Sequence, residues 1–256
     1  MTETPEWLRQ GQAVVTGAGG GLGRALAVAL AGAGLSVAGL GRNGAALAET
    51  AALAGDGFSG HVCDVADPAA VQATFASLGP VALLINNAAV YPRRDFLEET
   101  PESFMQTVAI NLGGIAACSR AALGSMVEAG RGRILNVATF ADLSPLPASA
   151  AYATSKGAAR ILTRALVADL GDRFPGIVIT DWMPGMLATK MGIPDGLAPE
   201  EAARWGVALA LWHDPSLNGA TFEMDREILP PRGLKARLKD RLLLRKPARP
   251  RRIIPR

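Results

Sequence analysis

Residues 13–23 read Ala-Val-Val-Thr-Gly-Ala-Gly-Gly-Gly-Leu-Gly, and the fold is decided here. Ala13–Thr16 is a short apolar, β-branched run of the kind that forms a buried strand. Gly17–Gly23 follows at once as a glycine-rich turn, and Arg24 to about Ala33 has the composition of a helix. Strand, turn and helix in immediate succession make a cradle for an anion. Glycines let the chain turn sharply, let a phosphate approach the backbone closely and let the helix pack on the strand. The first N–H groups of the helix and the positive end of its dipole then face the anion. A tight turn needs glycines for steric reasons alone, but the position between first strand and first helix favours a ligand. Gly17, Gly19, Gly20, Gly21, Leu22 and Gly23 are therefore expected to line a pyrophosphate.

Outward from this stretch, apolar runs and helical stretches alternate. Strands are expected at Leu35–Leu40, Gly60–Cys63, Val81–Ile85, Arg133–Val137, Ile177–Thr180 and Ala220–Met224. Helices are expected at Gly44–Ala54, Ala69–Ser77, from about Pro101 to Ala129, and at Ala151–Leu170. Short strands alternating with longer helices imply right-handed βαβ units and a parallel sheet covered on both faces. The expected architecture is α/β, a doubly wound, Rossmann-like single domain over residues 1–229, followed by a basic extension over 230–256.

The composition, 49% hydrophobic and 19% charged, is that of a folded globular chain. The net charge of +3 is unevenly placed, because eleven Lys and Arg lie from Arg232 onward against Asp240 alone. With only Cys63, Cys118, His61 and His213, a disulfide framework and a Cys/His zinc site are not expected, and a reducing, cytoplasmic setting is. The uncharged stretch from Ala25 to Gly41 falls short of the roughly 20 residues of a membrane span and is interrupted by glycines, so no transmembrane segment is expected.

The second strand runs out at Leu40-Gly41-Arg42-Asn43, with no acid until Glu49. An acid there would accept from the ribose 2′-hydroxyl of NAD, whereas an arginine meets a 2′-phosphate. Arg42 favours NADP(H) over NAD(H), unless it is merely a solvated loop residue. Tyr152 and Lys156 stand four apart at the start of a helix and so share a face. An ordinary phenol, with a pKa of about 10, is a poor acid–base group near neutrality, and a nearby cation moves it toward the working pH.

Tyr-x-x-x-Lys alone is common. Here Thr16–Gly23, Asp64-Val65, Asn86-Asn87-Ala88-Ala89, Asn111, Thr139, Tyr152 with Lys156, and Pro184-Gly185 occur in an order and spacing that resembles the short-chain dehydrogenase/reductase family, over roughly Gln12 to Asp225. The resemblance implies hydride transfer between a nicotinamide and a small-molecule or carrier-bound carbonyl or alcohol. Asp64 and Val65 would flank the adenine, and Asn87 and Ala88 would line the cofactor. Asn111 would hold a water in a proton relay and stabilise the site. Tyr152 would be the general acid in reduction and the base in oxidation. Lys156 would bind the nicotinamide ribose and lower the tyrosine pKa. Pro184, Gly185 and Thr189 would embrace the nicotinamide. A homodimer or homotetramer is implied as well.

The sequence departs from the family in places. The stretch from Pro184 to Met224 is short for the family's substrate lid, which implies an open site for a bulky or carrier-borne substrate. Thr139 stands where the family has a serine that polarises the substrate oxygen, with Ser144 as an alternative; threonine keeps the hydroxyl but adds a stiffening methyl. Ala89 replaces a glycine, Thr180-Asp181-Trp182 replaces an asparagine and small residues, and Asp225-Arg226-Glu227 replaces Asp-Gly-Gly. Trp182 is expected in the core. In the extension, Leu234, Leu238 and Leu242 recur every fourth residue among Lys and Arg, as in an amphipathic basic helix. Its leucines are expected to dock on the body or another subunit while the charges stay solvated; contact with an acidic carrier or an anionic membrane surface is the alternative. Nucleic acid is not expected, because no aromatics interleave with the charges. Two rival functions stay open: a non-catalytic cofactor-binding regulator, and a docking protein that works through its tail.

Overall fold

The computed structural model describes residues 4–229 and 249–253. Strands β1 (Gln12–Thr16), β2 (Ser36–Gly41), β3 (Phe58–Val62), β4 (Val81–Asn86), β5 (Arg131–Val137), β6 (Gly176–Met183), β7 (Thr221–Glu223) and β8 (Arg226–Ile228) form one sheet in the order β3-β2-β1-β4-β5-β6-β7-β8. All neighbours are parallel except β7 and β8. Helices α1 (Glu6–Gln10), α2 (Gly21–Gly32), α3 (Gly44–Ala54), α4 (Pro68–Ser77), α5 (Pro101–Val108), α6 (Gly114–Ala129), α7 (Ala150–Leu170) and α8 (Pro199–Leu211) connect and cover it.

Both faces of the sheet are dry. One core gathers Val15, Leu26, Leu30, Leu83, Leu135, Trp182 and Phe222 beneath α2 and α8. The other gathers Val14, Leu40, Leu84, Cys118, Met126, Ile134 and Ile179 beneath α4 and α6. Strands buried on both faces read as unbroken apolar runs, and each large side chain removed from water contributes about 1.5–3 kcal/mol. Trp182 is fully buried in the first core, as expected. The apolar helical stretch 101–129 has the length of a membrane span, but α6 packs against β4 and β5.

Strand order reverses between β1 and β4, so the loops leaving their carboxyl ends diverge to opposite faces and open a crevice there. The glycine-rich turn and the Asn86–Ala89 segment border it.

Two expectations need correction. The stretch after Pro184 is not all lid: α8 takes Pro199–Leu211 into the core, with Ala202, Leu209 and Ala210 fully buried. Residues 184–198 remain as loop before it. The expected strand Ala220–Met224 is present as β7, which turns at Met224, φ 48°, into the antiparallel β8. At the chain end the charges do not all stay solvated. Arg251 Nε donates to Glu227 Oε2 at 2.8 Å, Ile253 is buried, and Arg252 bridges antiparallel to Arg226 on β8. The expected leucine-spaced helix over 234–242 lies outside the described residues.

Candidate active site

Tyr152 sits in the first turn of α7, and Thr139 follows the end of β5, the neighbour of β4 in the sheet. Thr139 is extended and caps a short 3-10 turn by accepting from Ala141 N at 3.2 Å. Burial raises the Tyr152 phenol pKa above its ordinary value, while the neighbouring Thr139 side chain pulls the other way. Ser144, the alternative hydroxyl, is exposed. The Tyr91 ring lies against that of Tyr152, with centroids 4.3 Å apart and planes 19° from parallel. Offset aromatic pairs of this kind add about 0.5–1.5 kcal/mol beyond their burial. Tyr91 was not found by sequence reading, since one aromatic in a loop carries no periodic signal.

Lys156 lies one turn further along α7 and is enclosed. Its ammonium donates to Val137 O at 2.8 Å. Burial lowers its pKa to about 8, and Asp181 opposes that fall. An ammonium has three donors, so two remain for a ligand's hydroxyls.

Asn111 falls in a π-helical turn, Ala109–Gly113, between α5 and α6. Such turns are rare and are frequent at functional sites. Its amide is fully engaged: Oδ1 accepts from Val90 N at 2.8 Å, while Nδ2 donates to Val90 O at 2.9 Å and Ser155 Oγ at 3.0 Å. Ser155 in turn donates to Tyr152 O at 2.8 Å. Asn111 therefore pins the β4–α5 loop, which carries Tyr91, to the helix that carries Tyr152.

The glycine turn is braced from both sides. Thr16 Oγ1 accepts from Asn87 N at 2.9 Å and Ala88 N at 3.0 Å, and Asn87 Nδ2 donates to Thr16 O at 2.9 Å. A Cβ on Gly23 would stand 2.1 Å from Gly17 O, so turn and helix can approach this closely only without one. Arg24 ties Gly19 O, at 2.8 Å, to Glu49 on α3, at 2.6 Å. Glu49, the first acid after β2, is thus spent on structure.

The residues present fit a dinucleotide. Helix α2 starts at Gly20 with no side-chain cap, and nothing lies within 4 Å of where a Cβ on Gly20 would point. Uncapped N–H groups beside open space suit an anion. Gly19 instead lies against Ala46, and Gly21, at φ 51°, faces the Thr189 methyl. Leu22 is buried. Gly185, at φ 89°, turns the chain out of β6 after the buried Pro184, and Thr189 Oγ1 accepts from Gly192 N at 3.1 Å. Asp64 closes a turn by accepting from Ala66 N at 2.9 Å, and Val65 packs where Gly114 leaves room. Arg42 is exposed at the end of β2. It lines a cleft of about 460 Å³ together with Val90, Tyr91, Arg94, Lys190 and Met191. Lys190 was missed because one lysine in a loop has no motif around it. No group of three His, Cys, Asp or Glu side chains among the described residues could hold a metal ion.

Comparisons with known proteins give the family and the fold. The family model described as short chain dehydrogenase matches residues 12–197, and the chain belongs to that family. It is 34% identical over 192 residues to L-xylulose reductase of Mesocricetus auratus, covering 75% of this chain and 78% of that protein. It is 33% identical over 194 residues to carbonyl reductase [NADPH] 2 of Sus scrofa, with 75% and 78% covered. A structure of a variant actinorhodin polyketide ketoreductase with NADPH superposes with a TM-score of 0.77 at 26% identity, covering 83% of this chain and 95% of that one. The chain is accordingly an oxidoreductase-family protein of the nicotinamide-binding type, built on a doubly wound parallel sheet.

Proposed function

We propose that the protein is an NADP(H)-dependent oxidoreductase that reduces a ketone or aldehyde, or oxidises the matching alcohol, with Tyr152 as its acid–base group. The observation that carries this is the enclosed Tyr152 phenol, with Thr139 acting on it, Tyr91 stacked against it and the buried Lys156 ammonium held on Val137 O one turn along the same helix. Bound nicotinamide supplies or accepts the hydride at the substrate carbon. The chain's own residues manage the proton and the geometry. In reduction the Thr139 hydroxyl polarises the substrate oxygen, and the Tyr152 O–H gives that oxygen its proton; the phenol regains one from solvent. In oxidation the same proton runs the other way.

The Lys156 ammonium, with two donors to spare, suits the hydroxyls of the nicotinamide ribose, and its charge favours the phenolate. Asn111 positions Tyr91 and Tyr152 through Val90 and Ser155. The cradle of Gly17, Gly19, Gly20, Gly21, Leu22 and Gly23 would hold the pyrophosphate, Arg42 a 2′-phosphate, and Asp64, Val65, Asn87 and Ala88 the adenosine side. Pro184, Gly185 and Thr189 would close over the nicotinamide. A cation at Arg42 with Glu49 engaged elsewhere supports NADP(H), as do two similar proteins whose names include NADPH. Exposed Met105 and Ile161 on α5 and α7 support a homodimer or homotetramer through those helices, and two free, buried thiols support a reducing, cytoplasmic setting.

Titration of the purified protein with NADPH and NADH, followed by turnover against ketones, aldehydes and acyl thioesters, tests the proposal. Tighter binding of NADPH and a collapse of turnover in Tyr152→Phe are expected. Failure of the folded protein to bind either nucleotide would overturn it; binding with turnover that survives Tyr152→Phe would remove Tyr152 from its role.

A further inference from the structure

Beneath the candidate site runs a row of buried polar side chains that hydride transfer does not itself use. Asn86 Nδ2 donates to Ser119 Oγ at 3.0 Å and to Asn136 Oδ1 at 2.8 Å. Asn136 Nδ2 donates to Thr163 Oγ1 at 2.9 Å, and Thr163 donates to Asp181 Oδ1 at 2.6 Å. The row ends on a carboxylate, and Asp181 is 3% exposed.

Asp181 lies on β6 opposite Asn136 of β5. Its bond to Thr163 places its side chain on the face of the sheet that α7 covers. Lys156 is two helical turns before Thr163 and so points to the same face. It buries its ammonium one position further along β5, on Val137 O. The ammonium is a charge in a dry interior with a single carbonyl as its protein partner among the described residues. A charge so placed is costly unless an opposite charge lies near.

The other charges facing Asp181 are Arg160 and Arg164, both on α7. Arg160 already pairs with Asp142 at 2.7 Å, and Arg164 is exposed to screening solvent. Asp181 is the one acid set against Lys156 among the described residues. The two do not touch; each is fixed by its own hydrogen bond, and they act on each other through a medium of low dielectric.

We propose that Asp181 is a positioning residue: it is the counter-charge that holds the buried Lys156 ammonium in its charged form behind the Tyr152 phenol. This rests on Lys156 as the electrostatic partner of Tyr152, as proposed above. Without the carboxylate, burial acts on Lys156 unopposed, its proton leaves at lower pH, and the phenolate loses its nearby cation.

The direct test is a pH titration of the protein labelled with 13Cε-lysine, followed by NMR. The chain has five lysines, and the Lys156 signal is identified by its absence in Lys156→Arg. The wild-type midpoint is expected near 8. In Asp181→Asn, which can still accept the Thr163 bond, the midpoint should fall by about one unit, a tenfold change in the ionisation constant. The alkaline limb of kcat should move down with it, while the substrate KM stays put. Asp181→Ser, smaller and neutral, gives the same readout should the asparagine variant not fold. A Lys156 midpoint unchanged in either folded variant overturns the proposal. The NMR reading needs no turnover, so an inactive wild type would sink the proposed function while still leaving this coupling tested.

Discussion

Thr139→Val separates the hydroxyl of Thr139 from its bulk. Valine keeps the volume and the β-branching and loses only the oxygen. That oxygen has two roles. It accepts from Ala141 N at 3.2 Å, which caps the turn after β5, and it acts on the neighbouring Tyr152 phenol, whose pKa it draws down. Loss of the cap should cost about 1 kcal/mol of stability, seen as a fall in Tm of about 2–4 °C for a chain of this length. The second loss falls on the reaction. Removing one preformed donor to a developing oxyanion costs about 100- to 1,000-fold in kcat, and the loss should appear in kcat with little change in cofactor affinity. Thr139→Ser keeps the hydroxyl and removes a half-buried methyl, so it should hold kcat within about threefold while losing under 1 kcal/mol of stability. The assay is steady-state NADPH consumption on whichever carbonyl the first screen yields, beside a thermal melt of each variant. A Thr139→Val enzyme that keeps a fifth or more of its turnover would refute the assignment, and Ser144→Ala would then be the variant to make.

Arg42→Ala should weaken NADPH binding by about tenfold or more and leave NADH nearly untouched, since a charge-assisted bond is worth about 1.5–3 kcal/mol; equal losses for both nucleotides would remove Arg42 from the 2′-phosphate. Lys190→Gln, in the same cleft, should weaken both nucleotides alike if Lys190 serves the pyrophosphate, and fluorescence titration reads either result. Arg133 is buried with no acid beside it, and its guanidinium donates to Ile134 O, Val178 O and Leu209 O, joining β5, β6 and α8; burial lowers its pKa to about 9. Arg133→Ala should cost about 3–5 kcal/mol, and a Tm unchanged within 2 °C would show that those carbonyls need no partner. The Arg251 hydrogen bond holds the Glu227 pKa down, so the clasp of residues 251–253 on β8 contributes fully above the ordinary glutamate value. It is lost as pH falls through the lower folded value. Trp212 lies 5.8 Å from the Arg251 guanidinium, so its fluorescence should change in that acidic window and stay flat across it in Glu227→Gln.

How legible the fold was in the sequence depended on how each element is buried. Strands such as Val81–Asn86 are covered on both faces and show as continuous apolar runs, so the alternation of strand and helix was plain. Helix α8 left a signal that was passed over: Pro199 at its first position, Glu200 and Glu201 in its first turn, then Ala202, Ala203, Gly206 and Leu209 on one buried side. That signal is short and follows the loop-forming Pro184-Gly185, so in the sequence alone it reads as a continuation of the lid. Strand β7 falls within the expected Ala220–Met224, whereas β8 has three residues, too few for a period-2 pattern to register. The docking of Ile253 was hidden by composition, since one apolar residue among arginines looks solvated until its partner strand is known.

At the site, the division falls between tips and supports. The tips are local: a glycine run, a Tyr-x-x-x-Lys pair, a hydroxyl after a strand, each defined by neighbours a few residues away. The supports are pairs far apart in the chain. Asn86 meets Asn136 fifty residues on, and Thr163 meets Asp181 eighteen on. Arg24 holds the glycine turn against Glu49 twenty-five on. No spacing rule links such pairs: the register of β4 and β5 brings Asn86 level with Asn136, helix packing brings the others together, and both exist only after the sheet has formed. A buried polar row is stable only when nearly every member is satisfied, which ties the placement of Lys156 to residues a motif search has no reason to inspect. The departure Thr180-Asp181-Trp182 was visible as an oddity, yet its acid acquires a meaning only once α7 is laid over β6 and the ammonium is found on the same face. Substituting Asn136 by Ala should therefore disturb Lys156 as well as stability, because it removes the link between the strand that carries Val137 and the helix that carries the lysine.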